Sequence, residues 1–219
     1  MIIHFIRHGE IDGDPHAHMH PPVSGCLSPT GTQQAAALCQ ALKDKPYTHI
    51  YASPLGRAIE TAQPLAAHKN LPIQILPWLE EWRPAHILDN GDDTRYEEIM
   101  ARAEALRPEQ TWKTEAGESL MQMADRMIPG MLALLAQHGI EAGHGGYLFD
   151  DPNNSDHLAV FAHGGTLNLL LMFLLNLPLR PGNPFHFEKT GLAIIKFTPH
   201  ADVWYPSLYL PPPNPSNPE

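Results

Sequence analysis

The stretch Met1-Ile-Ile-His-Phe-Ile-Arg-His-Gly-Glu10 decides how the rest of the chain is read. Ile2, Ile3, Phe5 and Ile6 form an apolar run of strand length that stops at Arg7-His8-Gly9. Strand side chains alternate faces, so Arg7 and His8 would diverge if the strand ran on. Gly9 lets the backbone leave the sheet, and both side chains can then turn into one pocket. Three residues are a weak signal alone; their force comes from what the remaining chain sets against them.

Working outward, residues 10–26 read as a loop containing Glu10, Asp12, Asp14 and then His16-Ala-His18-Met-His20. Alternating acids and histidines suggest a metal site, but histidines two apart splay to opposite sides of an extended backbone. A solvated loop is the favoured reading. Ser28 and Pro29 start a helix, as N-cap and first helical residue, that runs to about Lys43. Tyr47–Ala52 is a short strand, and Ser53-Pro54 opens a second helix from Leu55 to about His68 with Arg57 in its first turn. Ile73–Leu76 is a third strand, followed by Pro77-Trp-Leu-Glu-Glu-Trp82.

A helix is expected from about Thr94 to Leu106, and Gly117-Glu118-Ser119 opens a long amphipathic helix to about His138, kinked at Pro129. Residues 139–156 read as a surface excursion. His157–Ala162 is a continuous apolar strand ending in His163-Gly164-Gly165, Thr166–Leu175 a helix, Leu192–Phe197 a strand, and Val203–Leu210 a last edge strand. Strands alternating with helices predict an α/β three-layer sandwich, a mostly parallel central sheet flanked by helices. Residues 1–210 are expected to form one domain, followed by a proline-rich tail at 211–219.

Composition narrows the function. A formal net charge of −10 argues against nucleic-acid and anionic-membrane partners, which call for basic patches. It leaves room for a small anion, because a few arginines in a cleft make a local positive field. Cys26 and Cys39 are too few for a disulfide framework. The start lacks the pattern of a signal peptide, and the longest apolar stretch, Leu167–Leu179, is broken by Asn168 and Asn176. A membrane span needs about 20 apolar residues. A soluble cytoplasmic protein is expected, with a homodimer left open.

Four polar groups follow predicted strand ends: Arg7-His8, Arg57, Glu81 and His163. Ligands of such sheets bind at the carboxyl ends of strands. If the first strand and the 157–162 strand are parallel neighbours, their ends lie roughly 5 Å apart and two imidazoles flank one reacting atom. Two guanidinium groups suit a phosphate dianion, and Arg57 lies near a helix N-terminus that also attracts anions. A carboxyl group completes the set as general acid for a leaving alcohol.

These residues sit in motifs that resemble a known family. Arg7-His8-Gly9-Glu10, Leu27-Ser-Pro-Thr-Gly31-Thr-Gln-Gln34-Ala35, Ala52-Ser-Pro-Leu-Gly-Arg57-Ala-Ile-Glu-Thr61-Ala, Leu79-Glu-Glu81, Gly117-Glu-Ser119 and Phe161-Ala-His163-Gly-Gly165 follow in the order found in the histidine phosphatase superfamily. The resemblance is to the branch with cofactor-dependent phosphoglycerate mutase, fructose-2,6-bisphosphatase and α-ribazole phosphatase, and covers residues 1 to about 175. It implies a phosphatase for a small phosphorylated metabolite, with His8 the nucleophile that becomes phosphorylated. It further implies that Arg7, Arg57 and His163 hold the phosphoryl oxygens, and that Glu81 protonates the leaving oxygen and then activates water. Glu80 is the rival acid, but the family pattern Leu-x-Glu selects Glu81. The backbone N–H of Gly164 is a further phosphate contact, and the resemblance implies no cofactor and no metal. The attacking nitrogen of His8 must stay neutral beside cations, with a backbone carbonyl fixing its tautomer.

Several positions depart from the family pattern. Asp14 stands where an Asn that donates a hydrogen bond to phosphate is usual, Ile11 replaces Thr, Trp82-Arg-Pro-Ala-His86 replaces Gly-x-Trp-Glu-Gly, and Asn168 stands in place of a basic residue. These positions belong to substrate reading rather than chemistry. Residues 83–116 hold more acids than bases, which disfavours the basic lid that a mutase needs. Alternatives are a phosphoglycerate mutase-type transferase, a binding protein that has kept the fold, and a metallo-hydrolase on the His16–His20 loop. At single positions, Arg57 pairing with Glu60 and Glu81 as a solvated loop acid are the bland readings.

Overall fold

Successive residues of the strand His157–Ala162 face two different cores. Leu158, Val160 and Ala162 point into one apolar cluster, Ala159 and Phe161 into another, and all are buried. A strand buried on both faces reads as unbroken hydrophobicity, and it marks the middle of a layered molecule. The computed structural model describes residues 1–11, 27–83, 98, 117–180 and 183–212.

In chain order the strands are β1 (Ile2–Arg7), β2 (His49–Ala52), β3 (Ile73–Ile75), β4 (Ile140–Gly143), β5 (Gly146–Phe149), β6 (His157–Ala162), β7 (Leu192–His200) and β8 (Val203–Tyr209). The helices are α1 (Pro29–Leu42), α2 (Gly56–Lys69), α3 (Leu120–Gln137) and α4 (Gly164–Leu174), with a 3₁₀ turn at Pro77–Leu79. One sheet runs in the order β3-β2-β6-β1-β7-β8-β5-β4. Leu38, Leu42, Ala58, Ala62 and Leu65 from α1 and α2 cover one face, while Met123, Met127, Met131, Leu167, Leu170 and Leu171 from α3 and α4 cover the other. The methionines are core packing, and the three-layer α/β sandwich is the observed architecture.

The expected parallel pairing describes β3, β2, β6 and β1, the half that carries the polar strand ends. Beyond β1 every pairing is antiparallel, so the sheet as a whole is mixed. Two corrections follow. The stretch read as a surface excursion contains the β4–β5 hairpin, whose turn residues His144 and Gly145 both have positive φ (52° and 77°). Positive φ at both central positions matches the right-handed strand twist, and the short, glycine-flanked strands hide the pattern. Strand β8 is then interior, lying between β7 and β5 rather than at an edge.

Local chemistry sets the helix starts. The Ser28 hydroxyl accepts from the Gly31 N–H at 2.9 Å, ahead of Pro29. Ser119 and Gln122 form a reciprocal capping box at α3. Pro129 lies inside α3, which is assigned as one continuous helix, and Pro64 lies likewise inside α2. The His16–His20 loop, Asp14, the expected Thr94–Leu106 helix apart from helical Glu98, and tail residues 213–219 lie outside the described residues. Among the described residues no helix is long and apolar enough to cross a membrane.

Candidate active site

Parallel pairing of β1 with β6 sets Arg7 opposite Ala162, and the His8 N–H donates to the Ala162 carbonyl at 3.0 Å. The residues that follow each strand therefore leave the sheet side by side. The His8 and His163 ring centroids are 5.1 Å apart, with planes 58° from parallel. His8 is 6% exposed and His163 fully buried. His8 Nδ1 lies 2.7 Å from the carbonyl of Gly9, so the tautomer that fits carries its proton on Nδ1 and leaves Nε2 with a lone pair. That acceptor is the neighbour in sequence.

Gly9 and Gly31 are glycines because two segments meet there. A Cβ on Gly31 would lie 2.0 Å from the Glu10 carbonyl oxygen, and one on Gly9 would lie 3.0 Å from the Gly31 carbonyl oxygen. The Gly9 N–H donates to Thr61 Oγ1 at 3.0 Å, and that hydroxyl donates to the Arg57 carbonyl at 2.7 Å. The start of α1 and the first turns of α2 thus hold the His8 loop between them.

Arg7 lines a pocket beside His8, whereas Arg57 and His163 are not among the residues that line it. Arg57 is buried and donates from Nε to His163 Nδ1 at 3.2 Å. The bland pairing with Glu60 is absent, for the Glu60 carboxylate takes the Leu27 N–H instead at 2.7 Å. His163 Nε2 lies 2.7 Å from Ser53 Oγ, so both its ring nitrogens have protein partners. Arg7 donates from Nη1 to the Phe187 carbonyl at 2.6 Å, while its buried Nε has no protein partner. A buried guanidinium N–H of this kind needs an acceptor, and a phosphoryl oxygen qualifies. Arg7, His8, Glu81, Gly164 and Gly165 line a common pocket of about 240 Å³.

Glu81 approaches from the turn after β3. Its carboxylate accepts the N–H groups of Gly165 and Thr166, each at 3.0 Å, in the first turn of α4, and that of Trp82 at 2.9 Å. A Cβ on Gly165 would stand 2.7 Å from Glu81 Oε1, so the second glycine of His163-Gly-Gly makes room for the acid. Glu80 points elsewhere and pairs with Arg83 at 2.6 Å. The geometry separates the two carboxylates without reference to the family pattern.

Four contributors escaped the reading of the sequence. Lys189 is one: its charge, with those of Arg57 and Arg7, adds to burial in pushing the pKa of His8 well below that of a free imidazole. Residues 189–191 precede β7, and antiparallel pairing brings the start of β7, rather than its end, to the rim where β1 ends. Ser53 is a second, named only as a helix start. Arg126 and Glu118 are the others. Arg126 donates to the carbonyls of Trp78 (2.9 Å), Glu80 (2.8 Å) and Glu81 (3.0 Å), and forks onto the Glu118 carboxylate at 2.8 and 2.9 Å.

Asn168 lines the pocket but acts as a tie. It is 2% exposed, donates to the Gly164 and Phe185 carbonyls at 2.9 Å, and accepts the Phe185 N–H at 2.8 Å. It fastens the segment whose Phe187 carbonyl receives Arg7.

An imidazole lone pair, a guanidinium group and a carboxylate thus share one pocket on an α/β sandwich, with the charges of Arg57 and Lys189 acting on the imidazole, a set suited to a phosphoryl group. Residues 3–205 match the histidine phosphatase superfamily (branch 1), and the chain belongs to that superfamily. The glucosyl-3-phosphoglycerate phosphatase of Mycobacterium tuberculosis is 30% identical over 178 residues, 80% of this chain and 75% of that one. A probable phosphoglycerate mutase of Erwinia tasmaniensis is 28% identical over 177 residues, covering 80% of this chain and 75% of its own. An uncharacterized M. tuberculosis protein is 42% identical over 80 residues, and the match spans 36% of this chain and only 39% of that relative's length. Among solved structures, a mycobacterial glucosyl-3-phosphoglycerate phosphatase superposes with TM-score 0.72 at 23% identity, covering 95% of this chain and 97% of the other. The α-ribazole phosphatase of Shigella flexneri gives 0.67 at 21%, covering 96% and 95%. These structural likenesses establish the shared fold.

Proposed function

We propose that the chain is a metal-independent phosphomonoesterase of small metabolites, acting through a phosphohistidine on His8. The observation that carries this is the His8–His163 pair at 5.1 Å, with His8 Nδ1 held by the Gly9 carbonyl. Burial first, then the charges of Lys189, Arg57 and Arg7, keep the His8 ring neutral and its Nε2 lone pair available.

In the first step Nε2 attacks phosphorus in line, and the bond from phosphorus to the ester oxygen breaks. Protonated Glu81 delivers its proton to that oxygen, and the alcohol leaves. Arg7 and Arg57 carry the negative charge that spreads over the three phosphoryl oxygens. In the second step Glu81, now a carboxylate, takes a proton from water as its oxygen attacks phosphorus, and the P–N bond breaks to release inorganic phosphate. His163 enters this scheme by positioning Arg57, whose Nε donates to its ring, within reach of a phosphoryl oxygen.

The relatives direct the substrate search to phosphoesters of glycerate type. Assays on glucosyl-3-phosphoglycerate, 3-phosphoglycerate and p-nitrophenyl phosphate, with and without 2,3-bisphosphoglycerate and EDTA, test the reading. Phosphate release unaffected by EDTA and lost in His8→Ala is expected, with an acid-labile, base-stable phosphoenzyme in rapid-quench samples. Isomerisation without phosphate release would assign a mutase, and the absence of turnover across the panel would assign a binding role. The localisation that fits this reading is cytoplasmic, where such metabolites are found.

A further inference from the structure

The end of the sheet remote from His8 carries a second cluster of polar chemistry that phosphoryl transfer does not use. His49 opens β2, Asp156 immediately precedes β6, and His138 caps the C-terminus of α3. Each offers one ligand atom, and the three atoms lie within 4.8 Å of one another. Six residues of β6 and the flanking steps separate Asp156 from His163, or roughly 20 Å.

We propose that His49, His138 and Asp156 form a binding site for a divalent transition-metal ion of the zinc type. Two imidazoles and one carboxylate are the donor set such ions select, whereas calcium and magnesium require more oxygen ligands. The ligand atoms of a tetrahedral zinc stand roughly 3.3 Å apart at bonds of about 2.05 Å, so small side-chain rotations close the site.

The second argument is the arrangement behind the ligands, which already orients each of them. His49 Nδ1 sits 3.0 Å from Thr48 Oγ1, which leaves Nε2 for an ion. The same Thr48 hydroxyl stands 3.3 Å from Asp156 Oδ1, leaving Oδ2. His138 Nε2 lies 2.9 Å from the Tyr51 hydroxyl, and its Nδ1 is 2.6 Å from Asp156 Oδ2. An ion takes the place of the proton between those two atoms. The ring proton then moves to Nε2, where the Tyr51 oxygen accepts it, and the total charge on the protein is unchanged. Ligating histidines generally place their second nitrogen on such a partner. The His138 side chain is 4% exposed and that of Asp156 is 29%, so the site has a buried wall and an open mouth. A bound ion would tie the start of two strands to the end of α3, far from the reacting phosphorus.

The full chain carrying His16→Ala, His18→Ala and His20→Ala is the parent for the test, so that the histidine-rich loop cannot compete. Calorimetric titration with Zn²⁺ is expected to show one equivalent bound and a rise in Tm of several degrees. Co²⁺ should give the visible absorption of a low-coordinate site. His49→Ala and Asp156→Asn, neither of which opens the core, should each weaken binding at least 100-fold, while His8→Ala leaves it unchanged. Zn²⁺ binding of equal strength in those two variants, or none tighter than millimolar in the parent, would overturn the proposal.

Discussion

Lys189 is the charge at the pocket whose state changes near neutrality. Burial pushes its pKa down to about 8, Arg7 and Arg57 push the same way, and Glu10 and Glu81 oppose them. Below pH 8 the ammonium is charged and adds to the field that holds a dianion; above it the charge is lost. The free enzyme's kcat/KM for a phosphomonoester is therefore expected to fall as pH rises through about 8. Lys189→Met should lower kcat/KM roughly 10-fold at pH 7, the worth of one charge-assisted contact, and flatten that alkaline limb. A wild-type profile level from pH 7 to 9 would refute the assignment.

Gly165 is decisive at the same scale, because the 2.7 Å approach of an added Cβ to Glu81 Oε1 must displace the acid. Gly165→Ala should reduce kcat/KM, which reports the first step, about 100-fold for alkyl phosphates and far less for p-nitrophenyl phosphate, whose leaving group needs little protonation. Equal losses on both substrates would show that Glu81 is not the proton donor.

Among the elements, the 3₁₀ turn after β3 and the residues up to Glu81 are gripped by a side chain of α3. Arg126 grips three backbone carbonyls between Trp78 and Glu81 and is braced by Glu118. Arg126→Lys keeps the charge but cannot hold three carbonyls and a carboxylate at once. It should repeat the leaving-group dependence of the Gly165 variant with an unchanged KM. A rise in KM with unchanged kcat would place Arg126 in substrate binding instead.

The clamp also shows what the sequence could reveal. Gly117-Glu-Ser119 was legible as a helix start because Ser119 has a local partner in Gln122, three residues on. The work of Arg126 was not legible, because the carbonyls it grips lie 45 to 48 residues away and bear no residue signature, and without them its pairing with Glu118 has no visible purpose. His8, Arg57, Glu81 and His163 could be found because each follows a hydrophobic strand or opens a helix. Lys189 follows neither. The β4–β5 hairpin was hidden by short strands and glycines, whereas β6 stood out through six consecutive buried residues.

For the molecule as a whole, a buried pair at the end of the sheet remote from the pocket contributes to acid sensitivity. His4 and His157 sit with ring nitrogens 3.0 Å apart, and the Tyr47 hydroxyl bonds His4. Burial lowers their pKa values to about 3 and about 4; the His157 ring adds to the effect on His4, and Lys45 and the N-terminal ammonium to that on His157. Both rings stay neutral in the folded protein at pH values where the unfolded chain protonates them. The unfolded state thus binds more protons below pH 6.5, so stability is full above that value and declines towards pH 4. Thermal melts should show Tm falling through this window, and His157→Gln should make the fall shallower. A Tm constant from pH 7 to 4 would contradict it.

The buried tie made by Asn168 bears on how this scaffold can acquire new specificities. All three of its hydrogen bonds go to main-chain atoms of Gly164 and Phe185, so a cation at that position would gain a charge for the ligand only by releasing the strap that supports Arg7. Single exchanges there should sacrifice turnover, and a productive path to a more anionic ligand requires the 185–187 segment to change with it. Divergence at this wall of the cleft is consequently a paired event, and libraries that vary one position at a time will miss it.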